Sequence, residues 1–110
     1  QELLRELAKL ARTTPFAVFA GADAHIVEVL TLGAVGCIGG LANAVPEAMV
    51  RVYRAAAAGN PNEASCEQEL LLAVERRLHL VPFPWNVAAV MAARGLPVGA
   101  LPATMSRVTR

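Results

Sequence analysis

Few residues in this chain have side chains suited to making or breaking bonds. Its only lysine is Lys9, and a lysine amine forms a Schiff base with a carbonyl compound once it is desolvated or set beside another cation in a pocket. Lys9 instead falls among Arg5, Glu6 and Arg12 on the polar side of an amphipathic pattern, so it reads as a solvated surface amine. Asp23 follows a short apolar run and Gly21. A carboxylate there either caps a helix or meets a ligand at a strand end. His25 shows no partner for acid–base work and reads as a surface residue. Gly36, Gly39 and Gly40 let backbone approach a carboxylate or phosphate, or simply serve strand packing and turns. They match neither GxGxxG nor Walker spacing, so nucleotide binding gains no support. Cys37 and Cys66 lack CxxC spacing, which argues against a zinc site and a disulfide framework and fits a reducing compartment. No metal and no cofactor is expected.

Composition narrows the classes further. Ten Lys+Arg against nine Asp+Glu leave a formal net charge of +1, too little for a strongly basic nucleic-acid protein or an acidic tail. Arg51 and Arg54, like Arg76 and Arg77, read as solvated helix faces. With 55% apolar and 17% charged residues the chain is not a disordered one. Aromatics are only 5%, so the core must be mostly Ala, Val and Leu, and Ala and Leu favour helix. The uncharged stretch 29–46 is broken by Gly33, Gly36, Gly39 and Gly40 and ends in Pro46. A spanning helix needs roughly 20 apolar residues, so no membrane partner is expected. The opening Gln1-Glu2 lacks the basic, apolar, small-residue order of a signal peptide, and the expected location is cytoplasmic.

The candidate residues must be positioned by the surrounding elements. Residues 2–12 form an amphipathic helix with Leu3, Leu7 and Leu10 on one face, stopped by Thr13-Thr14-Pro15. The run FAVFA, 16–20, suits a strand buried on both faces. Asp23 then caps a helix over 24–32, with Gly33 as its stop. A second apolar strand covers 35–38. Strand, helix, strand over so short a stretch is a compact βαβ unit, which requires a parallel pair with a right-handed crossover. Val45, Met49, Val52, Tyr53 and Ala56 recur at helical spacing up to Gly59. Asn60-Pro61-Asn62-Glu63 starts the next helix with a cap, a proline at the first position and a glutamate three residues after the cap. That helix carries Cys66, Leu70, Leu71, Val74, Leu78 and Val81 before Pro82 and Pro84 end it. A last helix runs from about 85 to 94, stopped by Gly95, and the tail 96–110 is irregular.

Two strands buried on both faces make a poor sheet by themselves and need helices on both sides or a closed barrel. The expected fold class is therefore α/β. The chain is expected to be the C-terminal portion of a larger (β/α)8 barrel of roughly 250 residues, with the missing strands before residue 1; the alternative from the same pattern is a complete small α+β domain. Residues 1–43 are its last βα units, and 44–110 a helical region packed beside the barrel.

The strings FAVFAGAD (16–23) and LGAVGCIGGLAN (32–43), with Pro46, resemble the closing part of the dihydrodipicolinate synthase / N-acetylneuraminate lyase family. The resemblance covers about residues 5–103 and is carried mainly by the two strand motifs. It implies a TIM barrel whose seventh strand ends in G-x-D. The eighth strand follows a G-A-x-G turn and ends near an Asn, and three C-terminal helices come after it. It implies a class I aldolase that joins a lysine to pyruvate or another 2-keto acid as a Schiff base. Position by position, the resemblance places Gly21 and Asp23 at the catalytic mouth. Ile38 falls on the residue whose main-chain carbonyl borders the Schiff-base pocket, Gly40 on a position that is Ser in the lyases, and Asn43 on the family Asn. The implied substrate-binding set is Gly21, Asp23, Ile38, Gly39 and Gly40, with no catalytic residue in this chain. The Schiff-base lysine, the catalytic tyrosine and the carboxylate-binding Thr pair all belong to earlier segments. Two departures stand out: Ala24 replaces the Glu of the sialic-acid lyase motif G-x-D-E, and Ala100 stands where G-x-R-x-P has Arg.

The resulting expectation is the C-terminal part of a carbon–carbon or carbon–oxygen lyase acting on a small 2-keto acid. This chain alone is expected to be inactive, and the full-length parent to be a homo-oligomer, dimer or tetramer. A different reading is a non-enzymatic helical module that binds a partner or assembles through Met49, Tyr53 and Trp85. A third is a phosphate-binding barrel, since phosphate sites often follow strands seven and eight.

Overall fold

The computed structural model describes residues 2–21 and 23–100. Helix α1 (Glu2–Ala11) follows the leucine spacing, with Glu2 in its first turn and Lys9 in its last, each sign matched to the helix dipole. It ends where the backbone N–H groups of Thr13 and Thr14 both donate to the Leu10 carbonyl, at 3.1 Å. Only Ala8 of this helix is buried, and Leu3, Leu7 and Leu10 stay exposed.

Strands β1 (Phe19–Ala20) and β2 (Gly36–Cys37) pair parallel, Phe19 opposite Gly36 and Ala20 opposite Cys37. Val35 donates its N–H to the Val18 carbonyl at 2.8 Å and Ile38 donates to the Ala20 carbonyl at 2.9 Å, extending the ladder by a bond at each end. The expected runs 16–20 and 35–38 are therefore shortened to the part that finds a hydrogen-bonding neighbour. They are also not buried on both faces. Phe19 is 57% exposed and Ile38 71%, and Phe16 and Val35 are exposed too.

Between the strands lie a 3₁₀ turn (Asp23–His25) and helix α2 (Ile26–Thr31). The expected helix over 24–32 capped by Asp23 is corrected here. His25 occupies the cap position of α2 and makes no side-chain cap bond, because the Asp23 carboxylate is engaged elsewhere. Gly33, at φ 108°, turns the chain out of α2 as expected.

After β2 come α3 (Leu41–Ala44), α4 (Pro46–Ala57), α5 (Pro61–Leu78) and α6 (Trp85–Ala93). The helical spacing that runs up to Gly59 is that of α4, and the one-turn helix α3 precedes it. Pro46, which has no N–H, opens α4 as a separate helix. Gly59, at φ 74°, makes the turn between α4 and α5. Asn60 does not cap α5 through its side chain. Its Nδ2 donates to Glu63 Oε2 at 3.2 Å, so the expected reciprocal capping is replaced by one side-chain pair.

Ile26, Leu41, Met49, Val52 and Leu71 form the core, with Val27, Leu30, Cys37, Val45, Ala48 and Leu78 against it. Met49 is thus an interior residue, which removes it from the partner-binding surface considered above. Buried Gln68 ties α5 to α2 by accepting the Val27 N–H on its Oε1 at 3.3 Å. Arg94, just past α6, donates to the Ala44 carbonyl and, at 3.0 Å, to Glu47 Oε2, holding α6 to the α3–α4 junction. The radius of gyration is 16.0 Å, against about 13 Å for a compact domain of 100 residues, in keeping with the apolar surface left open on α1 and the strands. Among the described residues no helix is long and apolar enough to cross a membrane. The second half of the Gly99-Ala100-Leu101-Pro102 motif and the rest of the tail lie outside the described residues.

Candidate functional site

The parallel register brings the ends of both strands to one place. An added Cβ at Gly21 would lie 3.7 Å from the Ile38 carbonyl oxygen, so the end of β1 touches the backbone leaving β2. Asp23 reaches across the same gap. Its Oδ2 accepts the backbone N–H of Leu41, the first residue of α3, at 3.2 Å. Its Oδ1 is buried with no hydrogen-bond partner among the described residues. That oxygen lies 1.4 Å from where a Cβ on Gly39 would sit, so the carboxylate packs directly on the glycine backbone. A Cβ on Gly40 would meet the Phe83 ring at 3.2 Å. Asn43 donates from Nδ2 to the Gly40 carbonyl at 3.2 Å, fixing the far side of the same turn. Gly21, Asp23, Ile38, Gly39 and Gly40 thus converge, although the first and third come from different strand ends.

Beside them is a cavity of about 340 Å³ whose wall includes Asp23, Gly40, Glu75, His79, Phe83 and Asn86. Glu75 Oε1 and His79 Nε2 stand 3.8 Å apart at the end of α5. This contribution from α5 and the 82–84 segment is the part of the site that sequence reasoning missed. The i, i+4 spacing of Glu75 and His79 was visible, but nothing local tells that the end of α5 returns to the strand ends. The wall offers carboxylate and imidazole acceptors, amide groups and backbone, and no primary amine.

The other candidates lie apart from it. Lys9 is exposed and pairs with Glu6 Oε1 at 2.7 Å, without the desolvation that would activate it. His25 is exposed, 3.5 Å from Glu28 Oε2. Tyr53 donates its hydroxyl to the Val35 carbonyl at 3.3 Å, pinning α4 to the approach to β2. Trp85 starts α6 half-buried. Among the described residues no three His, Cys, Asp or Glu side chains gather as a metal centre requires.

Comparison with known proteins gives this geometry a context. The family model described as the dihydrodipicolinate synthetase family matches residues 2–108. The 4-hydroxy-tetrahydrodipicolinate synthase of Marinobacter nauticus is 37% identical over 73 residues, covering 63% of this chain and 25% of that protein. A 4-hydroxy-tetrahydrodipicolinate synthase of Streptomyces coelicolor is 30% identical over 104 residues, 93% of this chain and 34% of that protein. That of Symbiobacterium thermophilum is 34% identical over 96 residues, 86% of this chain and 33% of that protein. The chain therefore spans a quarter to about a third of the length of these curated relatives. No solved structure matches it significantly. With a family match over nearly its whole length, falling on the βα units and helices just described, this chain belongs to the dihydrodipicolinate synthetase family.

Proposed function

We propose that this chain is the C-terminal part of a Schiff-base-forming lyase or aldolase of (β/α)8 architecture that acts on pyruvate or a related 2-keto acid. In this reading β1 and β2 are the last two staves of the barrel. Residues 1–43 are the closing βα units, and 44–110 the helices packed beside them. The observation that carries the reading is the parallel strand pair whose ends meet beside Asp23, Gly40 and Leu41, three residues in the wall of a cavity, in a chain matched to the family along its length. Barrel enzymes place their chemistry at that end of the strands. The exposed apolar residues Phe16, Phe19, Val35 and Ile38 then face the neighbouring staves and the barrel interior.

The chemistry follows from what the chain has and lacks. A lysine amine outside residues 1–110 adds to the ketone of the keto acid and water leaves, giving an imine. Loss of a proton or of a carbon fragment then gives the enamine, which attacks an aldehyde or is reprotonated. The present chain supplies the rim: Gly21 keeps the strand end low, the Ile38 carbonyl is a hydrogen-bond acceptor beside it, Gly39 gives its side-chain space to the Asp23 carboxylate, and Gly40 lines the cavity. No cofactor is required, and no nucleic acid or membrane partner. The full-length parent is a cytoplasmic homo-oligomer in this account. Borohydride reduction in the presence of pyruvate tests it on the longer gene product. The expected result is a stable adduct on a lysine outside residues 1–110, and no adduct anywhere rejects the reading.

A further inference from the structure

We infer that Asp23 is a positioning residue, whose carboxylate holds the turn 38–41 against the end of β1 and can do so only because residue 39 is glycine. Two observations meet here. Helix α3 starts with no side-chain cap of its own from Gly40, and the N–H of Leu41 is instead taken by Asp23 Oδ2 at 3.2 Å. The other oxygen, Oδ1, is shut in against Gly39, at 1.4 Å from the ideal Cβ position. The backbone does not explain the glycine. The glycines with positive φ are Gly33, Gly59, Gly95 and Gly99, and Gly39 is not one of them. An L side chain is therefore conformationally allowed at 39, and the carboxylate is what excludes it.

One oxygen of Asp23 is thus bonded to Leu41, and the other is buried against Gly39 with no hydrogen-bond partner among the described residues. The group sets the path of the backbone from Ile38 to Leu41, of which Gly40 and Leu41 line the cavity. The importance of this for a keto acid rests on the function proposed above, whereas the coupling of Asp23 to Gly39 and Leu41 does not. The predicted coupling is strongly non-additive. Asp23→Ala removes the acceptor. Gly39→Ala expels the carboxylate and so removes the same bond. In the doubly substituted chain the alanine at 39 has the space that the carboxylate held.

Amide hydrogen exchange on the isotopically labelled 110-residue chain reads this out at Leu41, with Leu71 in α5 as the reference for global stability. Asp23→Ala and Gly39→Ala are each expected to speed exchange at Leu41 by roughly ten- to a hundredfold, the loss of a hydrogen bond to a charged group. The double variant is expected to be no faster than either single one, and Asp23→Asn, which keeps an acceptor oxygen, to stay close to the parent chain. Should Gly39→Ala fail to fold, adding Asp23→Ala is expected to restore folding. Unchanged exchange at Leu41 in Asp23→Ala, multiplied effects in the double variant, or no restoration overturns the inference. Borohydride trapping reports independently on the keto-acid reading, so failure of one is told apart from failure of the other.

Discussion

The docking of α1 offers a quantitative test of the packing. Gly33 combines φ 108° with an ideal Cβ position only 2.8 Å from the Ala8 Cβ, while Gly59 has φ 74° and nothing within 4 Å of its Cβ position. Both reject a side chain on conformational grounds, at roughly 1–2 kcal/mol for an L residue in left-handed space. Only Gly33 adds a clash with a packed neighbour, typically about 1–3 kcal/mol. Gly59→Ala should therefore cost about 1–2 kcal/mol, and Gly33→Ala about 2–5 kcal/mol when the overpacking is included. For a domain of about this length each kcal/mol lowers the melting temperature by roughly 4–8 °C. Since Ala8 is the one buried residue of α1, the extra cost should appear as loosening of α1. Trypsin should then cut at Arg5, Lys9 and Arg12 faster in Gly33→Ala than in Gly59→Ala. Thermal melts and digestion time courses of the two variants decide it. Equal melting temperatures, or equal cleavage of α1, would refute the assigned contact.

Other consequences are simpler. Leu71 is fully buried at the centre of the core, so Leu71→Ala should cost about 2–5 kcal/mol in denaturant unfolding, and a change near zero would mean the α5 register is wrong. Glu47 has its carboxyl held below its ordinary value chiefly by the hydrogen bond from Arg94, helped by its own backbone N–H and by the charges of Arg94 and Arg51. A folded-state pKa below the unfolded one gives stability that is present above the unfolded value and lost as pH falls through the folded one. The guanidinium, itself shifted upward by Glu47, stays charged throughout that range. Arg94→Gln should therefore lower stability on the plateau above the ordinary carboxylate range and converge with the parent chain as the pH falls through it, which flattens the acid limb; a profile that coincides with that of the parent chain at neutral pH, or runs parallel to it throughout, would exclude the clamp.

Legibility in the sequence followed the range of the interactions. The apolar runs at 16–20 and 35–38, separated by a helix-sized segment, were enough to give a parallel pair. The leucine stripe gave α1, and Pro61 and Gly95 marked helix ends that the structure keeps. Strand length was not legible, because a strand ends where its hydrogen-bonding neighbour ends, and that is a property of distant residues. The role of Asp23 was half legible. Its position after Gly21 marked it as a cap or a rim residue, but the N–H it accepts belongs to Leu41, on a different helix. The lining from Glu75, His79 and Phe83 depends on how α5 packs on α4 and returns to the strand ends, which no local pattern encodes. Met49 illustrates the converse: periodicity put it on a helix face, and only packing shows that the face is internal.

The account stands on β1 and β2 running side by side in the same direction, since only that arrangement brings Gly21, Asp23 and the turn after Ile38 together. Scalar couplings across hydrogen bonds, measured by NMR on the labelled chain, address it directly. Couplings from the Val35 amide to the Val18 carbonyl and from the Ile38 amide to the Ala20 carbonyl are the predicted result. Their absence, together with the close cross-strand Hα–Hα contacts of an antiparallel pair, would contradict it.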